Sequence, residues 1–226
     1  MKKHTIMKRT AALLLTGFVS LTAFADVAFF TTEKPKKIGG HSYLDLGLPS
    51  GLKWATCNLG AESATDPGYY FAWGEISPKS EYTKENCTTL GLEISDISGN
   101  PQYDAAAALW GEGWRMPTYE EVQELMDNCR WTWMIYCGKP AFIAEGFNYE
   151  NLILPAAGDT SDDSDQRTNW GCYWSATPSD EGIGAFDKVD LSRNLRMLGG
   201  NENEGIMFLT WPSPRFQGRL IRPVHD

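Results

Sequence analysis

The sequence predicts an α+β domain in which two consecutive helices pack on short, twisted antiparallel strands joined by long loops. Three observations lead to that class. The stretch from Trp110 to Met126 carries a complete helix start, preceded by a run of alanines that makes a second helix. Short apolar or alternating segments, bounded by Gly and Pro, lie on both sides of it. Nine tryptophans supply large buried areas for a core with little regular structure.

The first residues read as an address. Lys2, Lys3, Lys8 and Arg9 form a positive region, residues 11–23 an apolar run, and Ala23 and Ala25 the small-residue positions of a cleavage site before Asp26. The apolar run is shorter than the roughly 20 residues a membrane span needs, so residues 1–25 are expected to be a signal peptide and the mature chain to have no membrane span. No cysteine stands at the cleavage point to accept a lipid. An exported protein of the periplasm, cell surface or medium follows. Cleavage lowers 20 basic residues to 16 against an unchanged 29 acidic ones, moving the formal net charge from −9 to −13. That balance argues against nucleic acid as a partner. Residues 26–40 read as a flexible leader and 41–226 as a single domain.

From His41 the elements follow in order. Residues 42–57 predict a hairpin turning at Pro49, Ser50 and Gly51. Residues 68–73 are short and aromatic: they could form a strand, but Gly74 and the proline-bearing stretch after it suggest a loop that plugs the core. Residues 81–101 carry no period and read as a loop, the least ordered part of the domain. Asp104 caps a helix over 105–109 that ends at Gly111 or Gly113. Thr118 and Glu121 form a capping box, and Val122, Leu125, Met126 and Cys129 give the second helix one apolar stripe. Residues 130–136 then alternate and turn through 138–140 into 141–144. Further strands are expected at 151–154, 172–175, 184–189, 205–211 and 219–224, the last pairing near the first hairpin.

WRMPT at 114–118 before an acidic helix resembles the signature of the C-type-lectin-like superfamily, in the branch containing the Fibrobacter succinogenes major paralogous domain and formylglycine-generating enzymes. Further blocks are similar to the first of these and stand in its order: DLGLPSG at 45–51, WATCNLGA at 54–61, YFAWGE at 70–75, LPAAG at 154–158, YWS at 173–175 and RPV at 222–224. The resemblance spans residues 41–224. It implies a C-type-lectin-like fold and a secreted or surface protein of the Bacteroidetes type, and it implies no established activity. It also puts Cys57 and Cys129 in matching blocks, which makes them the expected disulfide. A Cys129–Cys137 bridge across the hairpin is the alternative, and five buried free thiols the third reading.

Candidate sites narrow by counting. His4 leaves with the signal, while His41 and His225 lie near opposite ends and read as terminal surface residues, so no His-rich zinc site is expected. Neither a G-x-S-x-G elbow nor a phosphate-binding glycine loop occurs. Formylglycine-generating enzymes oxidise with a late pair of cysteines on copper; here Cys172 is the only cysteine after Cys137. The calcium-binding Glu-Pro-Asn, Gln-Pro-Asp and Trp-Asn-Asp motifs of sugar-binding lectins are absent as well. No cofactor and no metal is expected. There remains DTSDDSDQRTNW at 159–170, with Asp159, Asp162, Asp163 and Asp165 followed by Arg167 and Trp170. Its acid spacing fits no calcium loop, and it reads as a charged surface loop. Asp162, Asp165, Arg167 and Trp170 are the expected ligand-binding residues, holding a glycan or a protein, unless Trp170 tucks into the core beside Trp174. A non-enzymatic binding domain is the leading reading. An accessory part of a surface fibre or envelope assembly comes second, an uncharacterised enzyme third.

Overall fold

Gly39 and Gly40 take φ of 55° and 88°, backbone open to glycine, and their turn folds strand β1 (Lys36–Ile38) onto β2 (His41–Asp45) with Ile38 opposite His41. The computed structural model describes residues 36–160, 169–200 and 205–226. The expected signal peptide at 1–25 lies outside the described residues, as does the leader up to residue 35. Residues 36–38, expected as part of that leader, are paired strand. β2 returns through residues 46–52 to β3 (Lys53–Ala55), Leu44 facing Trp54. The other edge of β3 takes β11 (Val224–His225), with Val224 also opposite Trp54. Early and late chain thus share one sheet in the order β1-β2-β3-β11. The strand expected over 219–224 contracts, since Arg219 and Leu220 make only isolated bridges, to Phe71 and Tyr173.

Both helix starts form as the sequence predicts. The Asp104 carboxylate accepts the N–H groups of Ala106 and Ala107 at the head of α1 (Ala105–Trp110), and Gly111 at φ 59° ends it. Thr118 and Glu121 complete the capping box of α2 (Tyr119–Asn128). Val122 and Leu125 are buried, with Met126 and Cys129 packed beside them against the core. α2 lies against the antiparallel strands β7 (Trp170–Pro178) and β8 (Leu191–Gly199).

β4 (Arg130–Tyr136) and β5 (Lys139–Glu145) join through Cys137 and Gly138, at φ 49° and 77°. This turn is tighter than expected, for Lys139 and Pro140 already pair with Tyr136 and Ile135. β6 (Asn151–Pro155) completes a sheet in the order β4-β5-β6. In the third sheet β8 pairs with β7, β9 (Ile206–Leu209) and β10 (Ser213–Pro214). β8 is not among the expected strands. The one expected over 184–189 is a bridge between Ile183 and Phe186 followed by a 3₁₀ turn at Lys188–Asp190.

The core has two clusters. Trp54, Leu125, Phe142, Leu154, Tyr173 and Met197 belong to the first, where the sheets and α2 converge. Phe71, Trp73, Ile97, Met116, Trp174 and Ile221 belong to the second. Phe71 and Trp73 enter it from the plugging loop, both fully buried as that reading requires. The polar loop at 81–101 is anchored more firmly than its composition suggests, since Thr89 and Ile97 are buried too.

Three buried arginines replace regular hydrogen bonding along the late chain. Arg222 donates to Asn58 Oδ1 and to the carbonyls of Ala55, Thr56 and Ile153. Arg215 reaches the carbonyls of Thr89, Leu92 and Leu191. Arg219 donates to Asn194, Asp159 and Gln217. Burial pulls the Arg215 pKa down to about 10 and lowers that of Arg222. Loss of such an acceptor set leaves a buried charge uncompensated, so these positions are fixed by their partners.

Candidate functional site

Trp170 opens β7, and the strand registers define its surroundings. Trp170 stands opposite Leu198, Cys172 opposite Arg196 and Trp174 opposite Asn194, while Arg196 and Leu198 in turn face Leu209 and Met207 on β9. Alternation puts all of these side chains on one face of the sheet. The inner end of that face is closed. Cys172, Trp174 and Asn194 are buried, and the Arg219 guanidinium lies 4.9 Å from the Trp174 ring centroid. Its outer end is open. Trp170, Arg196 and Leu198 are half-buried there, and Met207 is 57% exposed. Trp170 thus shares a face with Trp174 without entering the core beside it.

The Arg196 guanidinium lies over the Trp170 ring, 4.9 Å from its centroid. Such stacking orients the planar cation and adds about 0.5–2 kcal/mol. Among the described residues Arg196 makes no side-chain hydrogen bond and no ion pair, and its Nε atom is buried without a partner. Every other described arginine has an acceptor. Arg115 pairs with Glu121 and Asp226, Arg130 with Glu145, and Arg193 with Asp180. The three buried arginines have the acceptors described above.

Of the other expected site residues, Asp162, Asp165 and Arg167 lie outside the described residues, as does Asp163. Asp159 does not belong to a surface loop. Its side chain is 2% exposed and ion-paired to Arg219 at 3.0 Å, so it holds the core together. Arg196 escapes the sequence reading because it sits on the unanticipated β8. The alternation of inward Leu195 and Met197 about Arg196 is the signal that marks it.

All five cysteines are free thiols, so the expected Cys57–Cys129 bridge is not formed. Cys57 follows β3 with its sulfur beside Thr56 Oγ1, whereas Cys129 caps the end of α2 against the first core cluster. Burial pushes the Cys129 thiol up to about 11. His41 and His225 are not loose terminal residues either. His41 stacks on Trp110 at 3.7 Å, and the Trp114 ring meets His41 and His225 edge-on at 6.1 and 5.6 Å. Among the described residues no group of three His, Cys, Asp or Glu is placed to hold a metal ion, and no helix is long and apolar enough to cross a membrane.

Comparison of the chain with protein-family models, with curated proteins and with solved structures returns no match. The class defined by the architecture is α+β, two helices packed against antiparallel sheets.

Proposed function

We propose that this chain is an exported, non-enzymatic binding domain of C-type-lectin-like fold, related to the Fibrobacter succinogenes major paralogous domain, which holds a carbohydrate or protein ligand on the outer end of the β7-β8-β9 face. The observation that carries the reading is the half-buried Trp170–Arg196 stack on an otherwise apolar, open surface. The lectin-like assignment draws support from the burial of the blocks behind it, with Trp54, Trp73, Trp114, Trp174 and Arg222 each at 1% exposure or less. Arrays of glycans and of envelope proteins, probed with the purified chain, test the binding role. Trp170→Ala and Arg196→Ala should each abolish retention while shifting the melting temperature little; retention unchanged in both variants would refute the site.

A second reading, an accessory component of a surface fibre or envelope assembly, rests on β4. This strand is at the edge of its sheet, and Met134 and Ile135 are 43% and 57% exposed. Light scattering separates the two, since a binding module stays monomeric at concentrations where an assembly subunit associates.

A further inference from the structure

We infer that Arg196 receives a carboxylate, and that the ligand of this face is an oligosaccharide bearing one uronic acid. The inference rests on the proposed binding role of the face and adds the chemistry recognised there. A protein with 29 acidic and 20 basic residues has carboxylates to spare, and the other described arginines are all supplied with acceptors. Arg196 alone among them is left with none, its guanidinium 4.9 Å from the Trp170 ring centroid and its Nε shielded from solvent. A guanidinium held over an indole ring, with no acceptor among the described residues, is suited to the bidentate pairing that a planar carboxylate makes.

Charge counting sets the ligand's valence. The described neighbours on this face are Trp170, Leu198, Met207 and Leu209, none of them charged, so among the described residues Arg196 is the one cation there. It balances a monoanion, whereas a phosphate monoester would bring a second charge with nothing opposite it. A net charge of −9 also repels polyanions. One carboxylate on an otherwise neutral sugar chain satisfies both conditions. The indole edge, Leu198 and Met207 supply apolar contact for the C–H groups of the sugar ring.

The test is an NMR titration of the full chain, labelled with nitrogen-15, following the Arg196 Nε–H and Trp170 Nε1–H signals. Arg196→Lys and Trp170→Phe assign them. The probes are sodium glucuronate, its uncharged methyl ester and sodium chloride at matched ionic strength. Glucuronate should move both signals, with affinity about tenfold above that of the ester, as expected for loss of a charge-assisted hydrogen bond. Equal responses to glucuronate and ester, or to glucuronate and chloride, would overturn carboxylate recognition. No response to glucuronate, while neutral glycans or proteins are still retained on the arrays through Trp170, would overturn it too and leave the binding role standing. Failure of both titration and arrays would remove both.

Discussion

The Asp104 carboxylate accepts the backbone N–H of Met116 at 2.8 Å, which ties the head of α1 to the residue two places before the cap of α2. Three more N–H groups, of Gly99, Ala106 and Ala107, point at the same side chain. Burial raises its pKa, with the four N–H donors opposing. Asp104→Asn keeps one oxygen for the helix cap but turns an NH₂ toward Gly99 and Met116. The buried Met116 N–H then loses its acceptor, at about 1–3 kcal/mol, and the partly buried Gly99 N–H loses its own at a smaller cost. Denaturant unfolding should show a loss of roughly 1–4 kcal/mol.

Trp114→Ala should cost roughly 3–5 kcal/mol. The side chain is 1% exposed, its Nε1 donates to Ile38 O at 3.1 Å, and its ring meets Trp110 edge-on. Thr118→Ala removes one cap bond and should cost nearer to about 1 kcal/mol. Equal denaturation midpoints for the two variants would contradict this packing.

Burial, and secondarily Lys37, lowers the His41 pKa below 6.5. Between its folded value and 6.5 the unfolded chain binds more protons, so stability falls as pH drops through that window and is unaffected by this group above it. Melting temperatures from about pH 7 to about pH 5.5 should decline in the wild type, and less steeply in His41→Gln, although that variant starts lower for want of the Trp110 stack. Parallel slopes would assign the decline to other groups.

Gly199→Ala tests the contact between two sheets. A Cβ there would overlap the Trp133 ring, so the indole must shift. A cost of about 1–3 kcal/mol is expected for such overpacking. Trp133→Leu in the same background should recover part of it, a coupling that a double-mutant cycle measures.

Local signals make the helices legible. Asp104, Thr118 and Glu121 find their partners within three residues in forming the two caps, so their roles can be read from adjacent sequence. β8 is not legible, because Ser192, Arg193, Asn194 and Arg196 interrupt its apolar pattern. The partners that make a strand of it, and that bury Ser192 and Asn194, come from β7, β9 and residues 213–219. Asp159 misleads for the same reason. In sequence it heads an acidic run, but its partner Arg219 stands sixty residues later. Trp170 stands out because a tryptophan beside a polar loop is conspicuous in sequence; the cation stacked on it is not.

The buried arginines of the late chain also constrain the order of assembly. Arg222 bonds groups as many as 167 residues earlier, and Arg215 bonds Thr89 across 126. Carbonyls of residues 55, 56, 89, 92 and 153 therefore wait for the guanidinium groups of Arg215 and Arg222. A nascent chain can form the α1–α2 unit and the β4-β5-β6 sheet as it emerges, but its core closes only once these two arginines have been made. Until then such a chain remains threadable.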